Sequence, residues 1–273
     1  MLQLTGAISA ALDAHRAAAL TTIVAAKGRP PVEMGAKMVV TSDGQRIGTL
    51  GDASLDERVL DDLRQVMDTR QVQVKTYELA EGQTADVFFE LFMPPPKLVV
   101  VGAGHIAVPL AAMGKMLDYE VVVIDDRTTF ANKSRFPTAD EIIVGDYEES
   151  ITNLELTPST FIVLVTRGHR HDVLSLRKVI QKPLAYVGMI GSRRRVYAVL
   201  KLLKDEGVAL ADIAKVRAPI GIDIGARTPA EIAICILAEI INVWNGGHTA
   251  ALSDEARPKF LRALQKGEPE AEV

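Results

Sequence analysis

The sequence predicts an α/β protein in which a Rossmann-like parallel-sheet domain follows a smaller α+β domain. Residues 97–126 contain two β-branched apolar runs separated by a glycine turn and an apolar helical segment, which is the pattern of a Rossmann βαβ unit. Residues 160–166 are almost continuously apolar, as expected for a strand buried on both faces of a parallel sheet. Three prolines at 94–96 can join neither a helix nor a central strand and mark the border. The predicted parts are an N-terminal domain over 1–93, the Rossmann-like domain over 97–247 and a polar tail over 248–273.

The composition excludes several classes of function. With 48% apolar residues, a net charge of −4 and both signs spread along 273 residues, the chain has ample material for a core and no feature of a nucleic-acid or membrane-surface protein. No apolar run approaches the ~20 residues of a membrane span. The first 20 residues include Asp13 and Arg16 and lack a basic start, so we expect a folded helix there and not a signal peptide. The single cysteine, Cys235, excludes an internal disulfide and fits a cytoplasmic protein.

Residues 1–93 alternate between helical and strand periodicity, which predicts the small α+β domain. The turn residues 42–45 separate two short alternating runs and predict a hairpin. The predicted helices cover 5–20 and 55–67, and the predicted strands cover 20–26, 37–41, 46–50, 71–77 and 86–92.

The first βαβ unit of the second domain carries a candidate dinucleotide cradle. Gly102, Gly104 and Ala107 form a GxGxxA turn: Gly102 allows the tight turn, Gly104 lets a pyrophosphate approach the backbone, and Ala107 lets the helix lie close to the strand. The helix N-terminus that follows offers N–H groups to phosphate. Asp125 ends the second strand at roughly the spacing of about 20 residues expected for a carboxylate on a ribose hydroxyl. Arg127 could meet a 2′-phosphate, so NAD is favoured over NADP without NADP being excluded; the alternative is a Rossmann-like domain whose site is empty or altered.

The rest of the second domain continues the α/β alternation. Gly207 is predicted to end one helix, and the capping box of Thr228 and Glu231 is predicted to start the last one. That last helix is apolar almost all round, which predicts burial or an oligomer interface. The charged tail from Ser253 onward is predicted to be disordered. The predicted strands cover 141–144, 160–166 and 184–187, and the predicted helices cover 173–180, 195–206 and 231–244.

The segment TRGHRHD follows the strand at 160–166 and lies at the carboxyl edge of the predicted sheet, where ligands of open α/β sheets bind. Thr166, Gly168 and His169 are its candidate ligand-binding residues. The arginine and imidazole groups of this segment suit phosphate oxygens or proton transfer. The alternative is a capping turn in which Asp172 starts the next helix and the histidines are solvated. We expect no metal site, since His169, His171 and one aspartate lack a further ligand and have basic neighbours.

The segment YVGMIGSRRR forms a second glycine corner on the same edge. Gly191 and Ser192 place N–H groups and a hydroxyl at a helix start, and Arg193 and Arg194 add fork-shaped donors that match phosphate. The alternative is that these arginines lie on a solvated helix face.

Together these motifs resemble the XdhC/CoxI family, the accessory proteins of molybdenum hydroxylases such as xanthine dehydrogenase and carbon monoxide dehydrogenase. The similar stretches are VVVGAGHIA, VVVIDDR, TRGHRHD, YVGMIGSRRR and PIGIDIGARTPAEIAICILAEI, in order from residue 97 to about residue 244. The N-terminal stretch TTIVAAKGRPPVEMGAKMVV is also similar to the family.

The resemblance implies a cofactor chaperone and not an enzyme. It implies binding of molybdenum cofactor, as molybdopterin or its dinucleotide form, help with its sulfuration, and delivery to an apo molybdenum hydroxylase, with a cysteine desulfurase as a further partner and a homodimer as the assembly. The alternatives from the residues alone are an NAD(P)-dependent oxidoreductase, which lacks an obvious proton-donor assembly beyond His105 and His169, and a nucleotide-sensing regulatory protein. The candidate cofactor-binding residues are Gly102, Gly104, His105, Ala107, Asp125, Arg127, Thr166, Gly168, His169, Gly191, Ser192, Arg193 and Arg194, with no catalytic residue among them.

The chain departs from the family pattern in its first domain. Many members carry a cysteine-bearing turn followed by glutamate where this chain has GDASLDE at 51–57, and a Cys-Gly-Gly where it has GQTA at 82–85. If those thiols hold metal or sulfur in the relatives, this chain cannot take part in sulfuration in the same way.

Overall fold

A computed structural model describes residues 2–69 and 73–249 of the chain. The chain separates into two units, Met1–Pro95 and Pro96–Val273, and the border falls within the proline run. Over the described ranges, no helix combines the length and apolarity needed to cross a bilayer. The disorder predicted from Ser253 onward concerns residues outside those ranges.

The N-terminal unit is an antiparallel five-stranded sheet with two helices. Its strands lie in the order β3-β2-β1-β5-β4. The elements are α1 (Leu2–Asp13), β1 (Ala18–Lys27), β2 (Lys37–Thr41), β3 (Arg46–Thr49), α2 (Ala53–Thr69), β4 (Gln73–Ala80) and β5 (Gln83–Phe92).

Helix α2 provides much of the core of this unit. Leu55, Val59, Leu63 and Val66 recur at helical spacing, and all four are buried in one cluster with sheet residues such as Phe89. A stripe of this kind buries one face of the helix on the sheet and leaves the charged face in water.

The predicted helix over 5–20 is wrong at its C-terminal end. Helix α1 stops at Asp13, His15 takes a left-handed conformation (φ 51°), and β1 already begins at Ala18. Alanines favour helix, but Ala18 pairs with Thr41 on one side and with Phe92 on the other. Pairing with two neighbouring strands outweighs the intrinsic preference of a few residues.

The C-terminal unit is the predicted Rossmann-like domain, an all-parallel six-stranded sheet in the order β11-β10-β9-β6-β7-β8. The elements are β6 (Lys97–Val101), α3 (Ala107–Met116), β7 (Glu120–Asp125), β8 (Glu141–Val144), α4 (Tyr147–Asn153), β9 (Thr160–Leu164), α5 (His169–Val179), β10 (Tyr186–Met189), α6 (Arg193–Asp205), α7 (Leu210–Ile213), β11 (Val216–Arg217) and α8 (Pro229–Asn245).

Both faces of this sheet are covered, which explains why its central strands are apolar without alternation. Helices α3 and α8 contribute to the core cluster on one face, and α4, α5 and α6 contribute to the cluster on the other. The predicted capping box at the start of α8 is confirmed: Thr228 Oγ1 accepts from the N–H of Glu231, and the Glu231 carboxylate accepts from the N–H of Thr228.

Several parts of this unit differ from the prediction, among them helix α7 and strand β11, which were not predicted. Helix α4 was not predicted, although Asp146 caps it by accepting from the N–H groups of Glu148 and Glu149, a local signal present in the sequence. Helix α5 begins at His169, four residues earlier than the predicted start at 173.

The strand order reverses at β6, because β7 and β8 lie on one side of it and β9, β10 and β11 on the other. Ligands of open α/β sheets bind at the carboxyl edge where such a reversal occurs. The loops after β6, β7, β9 and β10 therefore form the candidate site.

Candidate functional site

Two glycines of the turn after β6 have opposite surroundings. Gly102 has φ +104°, donates its N–H to the Ile124 carbonyl at 2.7 Å, and would place a Cβ only 2.6 Å from the Val165 carbonyl oxygen. A Cβ on Gly104 would meet no atom within 4 Å. Gly102 is thus required by the packing of the turn, whereas Gly104 borders open space. Ala107 is fully buried at the start of α3.

Asp125, at the end of β7, is completely buried and belongs to the turn. Its Oδ2 accepts from the N–H of Ala103 at 2.7 Å and from Arg127 Nη2 at 2.9 Å, and its Oδ1 accepts from the N–H and Nε of Arg127 at 3.1 and 2.7 Å. Burial by itself raises the pKa of this carboxyl, but the Arg127 fork and the two backbone N–H groups outweigh burial and lower the pKa to about 2. The ribose contact expected of Asp125 would require breaking these bonds.

Arg135, which the sequence motifs did not predict as a site residue, also supports the glycine turn. Its Nη1 donates to the Ala103 carbonyl at 2.8 Å and to the Phe130 carbonyl at 3.2 Å. The guanidinium groups of Arg127 and Arg135 lie 3.7 and 4.8 Å from the centre of the Phe130 ring. The turn carbonyl is therefore satisfied within the protein. The segment RFP, at residues 135–137, follows the family-like stretch VVVIDDR and was the available signal for Arg135.

The corner after β9 contains a second buried carboxylate. Asp172 is fully buried; Thr166 Oγ1 donates to its Oδ1 at 2.5 Å, and Arg195 Nε donates to its Oδ2 at 2.9 Å. Here burial raises the pKa of the Asp172 carboxyl above its ordinary value, although Thr166 and Arg195 act against it. Asp172 and Arg195 were not predicted as site residues, and the hydroxyl of the predicted Thr166 is engaged by Asp172.

The two histidines of TRGHRHD lie in the first turn of α5, after its N-cap residue Gly168. The alternative in which Asp172 starts this helix is therefore wrong. The His171 ring packs against the Tyr147 ring with 4.9 Å between centroids, whereas His169 is exposed at the helix start. Of the two, His169 remains available to a ligand.

The corner after β10 presents cations to solvent. Ser192 caps α6 by accepting from the N–H of Arg195 at 3.3 Å, and a Cβ on Gly191 would lie 3.3 Å from the Arg195 side chain. Arg193 and Arg194 follow in the first turn of α6 and are exposed, and within residues 2–69 and 73–249 no carboxylate pairs with either. Two guanidinium groups are free to bind an anion there.

An ion pair connects the corners across β6. Arg167, after β9, donates from Nη2 to Asp126 Oδ2, after β7, at 2.7 Å. Since β6 lies between β7 and β9, these residues come from the strands on both sides of the glycine turn. Two helices start at this edge: α3 beside the glycine turn and α5 after β9. Their N-cap residues, Ile106 and Gly168, make no hydrogen bond from a side chain to the helix start. Such helix starts favour negative charge.

The site lacks the features of a metal centre. Among the residues that the structure describes, no three His, Cys, Asp or Glu side chains are grouped to hold a metal ion, and Cys235 is buried in α8. In the first unit, the segment 51–57 is tied to the end of β3: Asp56, which is buried, accepts from the N–H of Leu50 at 2.8 Å and from Thr49 Oγ1 at 2.7 Å.

The fold and the site define a Rossmann-type α/β protein whose polar and cationic residues line the carboxyl edge of a parallel sheet at its strand-order reversal. The family profile described as the XdhC Rossmann domain matches residues 98–240, and the profile described as the XdhC and CoxI family matches residues 11–78. The chain therefore belongs to the XdhC and CoxI family, as its motifs predicted.

Relatives support this assignment. The uncharacterized protein YqeB of Escherichia coli (strain K12) is 30% identical over 251 residues, which are 88% of this chain and 46% of YqeB. A protein of Bacillus subtilis (strain 168), described as a probable xanthine dehydrogenase subunit, is 31% identical over 58% of this chain and 46% of that protein. This chain thus spans about half the length of these curated relatives.

A crystal structure described as a xanthine dehydrogenase from Bacillus halodurans has the same fold. It superposes with a TM-score of 0.52 over 90% of this chain and 97% of that one. The sequence identity is 19%, so the likeness concerns the fold alone.

Proposed function

We propose that this protein is an accessory factor of a xanthine dehydrogenase-type molybdenum hydroxylase that binds molybdenum cofactor and delivers it to the apo-enzyme. Membership of the XdhC and CoxI family supports this proposal, as does the Bacillus subtilis relative, whose name is that of a probable xanthine dehydrogenase component. On this proposal the chain is a cofactor chaperone, and the client hydroxylase performs the reaction.

The observation that carries the proposal is the set of unpaired anion-binding groups along one edge of the sheet. Arg193 and Arg194 are exposed at the start of α6, His169 is exposed at the start of α5, and the space beside Gly104 is open. Molybdopterin carries a phosphate, which arginine forks and free helix starts bind well. The residues therefore fit the phosphate-bearing part of the cofactor.

The same residues do not supply ligands for the metal. Cys235, the only thiol of the chain, is buried, and thiolate is the ligand type that soft metal–sulfur chemistry uses. When bound, the cofactor supplies the molybdenum chemistry that the hydroxylase uses. We propose that this chain grips and orients the cofactor by its phosphate and presents it for sulfuration by a cysteine desulfurase without carrying the sulfur itself. A homodimer and a cytoplasmic location stay predictions.

The direct test is the pterin content of the purified full chain after expression in a host that makes molybdenum cofactor. Gly104→Val should fill the open space without backbone strain, and Arg193→Ala combined with Arg194→Ala should remove two phosphate donors. Each hydrogen bond between charged groups contributes about 1.5–3 kcal/mol, so loss of the two arginines should lower bound pterin about tenfold or more. We expect a similar loss for Gly104→Val, because its side chain fills the open space. Fluorescence of the oxidised, released pterin measures it.

Matched controls separate loss of the site from loss of the fold. Gly6→Val adds the same atoms at a glycine of the N-terminal unit whose Cβ position is also open. Arg177→Ala removes an exposed arginine at the opposite end of α5, where it pairs with Glu206. Normal pterin content in both site variants, or an equal loss in the controls, would contradict the proposed site.

The runner-up function is a nicotinamide-dependent oxidoreductase, which the glycine turn after β6 favours. The same preparations distinguish the two. Released pterin supports the chaperone, whereas NAD(H) together with a substrate-dependent change in absorbance supports the oxidoreductase.

A further inference from the structure

In Rossmann sites that hold a dinucleotide, the acid at the end of the second strand accepts hydrogen bonds from the adenosine ribose. Asp125 occupies that position at the end of β7. Whether it can take this role depends on its free acceptor positions and on its access to solvent.

Neither requirement is met. A carboxylate has about four acceptor positions, and Asp125 uses four: two backbone N–H groups, from Ala103 and Arg127, and two guanidinium N–H groups of Arg127. The residue is also completely buried. A ribose hydroxyl would have to displace one of these donors.

Arg127 is the group that stands between this carboxylate and solvent. Its side chain is 27% exposed while that of Asp125 is 0% exposed, so the accessible surface of the pair belongs to the Arg127 side chain. The same guanidinium lies 3.7 Å from the Phe130 ring centre, which fixes its plane. Asp126 Oδ1 lies 3.8 Å from Arg127 Nε. With carboxylates on two sides, Arg127 has little charge left to attract a ribose 2′-phosphate.

Two exposed arginines for which the described residues offer no carboxylate partner lie elsewhere along the edge. Arg193 and Arg194 follow β10, on the opposite side of β6 from Asp125. The two ends of the edge therefore differ. At the β7 end, neighbouring carboxylates neutralise the charge of Arg127, whereas the arginines at the β10 end are open to an anion.

We infer that Arg127 is a specificity-determining residue that closes the adenosine end of this Rossmann site, so that the site accepts a phosphate ester held from the β9–β10 side and rejects NAD(H) and NADP(H). This inference rests on the proposed function only for the presence of an anionic ligand at this edge. The Rossmann fold alone implies a dinucleotide ligand, because its glycine turn is shared with dinucleotide-binding proteins.

The test is titration of the purified full chain with NADH and NADPH by calorimetry, for the parent protein and Arg127→Met. Methionine keeps much of the apolar contact with Phe130 but removes the fork, which frees two acceptor positions of Asp125. We expect the affinity for NADH to rise about tenfold or more, because ribose hydroxyls can then donate hydrogen bonds to the carboxylate. Arg167→Met is the matched control, because it breaks an arginine–carboxylate pair at the same edge without touching Asp125, and it should produce no gain.

A double variant identifies the carboxylate as the source of the gain. Arg127→Met together with Asp125→Asn should lose the NADH affinity that Arg127→Met alone acquires. If Arg127→Met does not fold, Arg127→Leu provides the same test, since leucine also removes both guanidinium donors from Asp125. Binding of NADH by the parent protein with a Kd below about 100 µM would overturn the inference, as would a folded Arg127 variant with no gain.

The two proposals can fail separately. Parent protein that lacks pterin contradicts the proposed function and leaves the NADH comparison of parent and variant unchanged. Parent protein that contains pterin and also binds NADH tightly contradicts only the closure by Arg127.

Discussion

The two corners of the carboxyl edge contain the same pair of residue types in different settings. At the β7 corner Arg127 pairs with Asp125, and at the β9–β10 corner Arg195 pairs with Asp172; both aspartates are fully buried. Asp125 accepts two backbone N–H groups in addition to its arginine, whereas Asp172 accepts a threonine hydroxyl. The pKa of Asp125 falls and the pKa of Asp172 rises. Burial raises the pKa of both carboxyls; at Asp125 the Arg127 side chain and two backbone N–H groups together outweigh burial, whereas at Asp172 burial outweighs Thr166 and Arg195.

The largest expected difference concerns two glycines of this edge, Gly102 in the turn after β6 and Gly191 in the turn after β10. Gly102→Ala should lower the free energy of unfolding by about 3 kcal/mol or more, because it combines a left-handed backbone with a 2.6 Å approach to the Val165 carbonyl. Gly191→Ala should cost less than about 1 kcal/mol, since the nearest atoms to its Cβ belong to the Arg195 side chain at 3.3 Å or more, and a shift of a few tenths of an ångström relieves that contact.

Urea unfolding followed by tryptophan fluorescence measures both glycine variants. Trp244, the only tryptophan of the chain, packs on Phe161 of β9 with 5.0 Å between ring centroids, so it reports on the C-terminal unit. Equal losses for the two glycines would contradict the different roles assigned to the turns.

The next difference concerns the two carboxylates themselves. Asp125→Asn should cost roughly 2–3 kcal/mol, since a fall in pKa from 3.8 to about 2 corresponds to that energy. Either orientation of the amide places its NH2 against N–H donors. Asp172→Asn should cost about 1 kcal/mol or less, because the amide can donate to the Thr166 hydroxyl while its oxygen accepts from Arg195. The same urea transition measures both, and a larger loss for Asp172→Asn would contradict the comparison.

Acidification should change the stability gaps of the two carboxylate variants, relative to the parent protein, in opposite directions. The folded-state pKa of Asp125 is depressed, so its stabilising contribution is present above its ordinary value of 3.8 and is lost as the pH falls towards about 2. The folded-state pKa of Asp172 is raised, so its contribution is present below 3.8 and is lost as the pH rises through the raised value. We therefore expect the stability gap between the parent protein and Asp125→Asn to shrink on acidification and the gap for Asp172→Asn to grow. Urea midpoints from pH 7 to pH 3 measure both gaps.

The smallest expected effect concerns the exposed ion pair that joins the corners. Arg167→Ala breaks the pair with Asp126, and Arg177→Ala breaks the pair with Glu206 at the other end of α5. Each should change stability by less than about 1 kcal/mol, as exposed pairs do. Only Arg167→Ala should lower bound pterin, because it leaves Asp126 as an unbalanced negative charge beside the site. Equal pterin content in the two variants would indicate that Asp126 and Arg167 lie outside the binding edge.

Much of the architecture followed from local pattern. The βαβ unit, the hairpin and the Thr228 capping box depend on residues close together in the sequence, and the structure has each where it was predicted. Helix α4 was missed because it is short, and the start of α5 was placed late because a Gly-His-Arg-His run has no strong helix signal. The predicted helix to residue 20 failed because strand pairing with residues far along the chain captured its last alanines.

The candidate site was predictable in its residue types and less so in their roles. Gly104, Arg193 and Arg194 stand free at the edge, as an anion-binding site needs. Asp125 and Thr166 were selected for the right strand ends, but their polar atoms are engaged by Arg127 and Asp172. Motif spacing gives the strand end on which a side chain lies, and it does not give the partner that side chain meets.

By itself, the sequence determined the family, the order of most elements and the edge of the sheet at which the polar residues gather, because these depend on periodicity and on motifs of a few neighbouring residues. Only the tertiary structure decided which of those polar residues are free. That outcome depends on donors brought together from separate strands, such as the N–H of Ala103 on Asp125 and the guanidinium of Arg195 on Asp172, and long-range contacts of this kind leave no local pattern in the sequence.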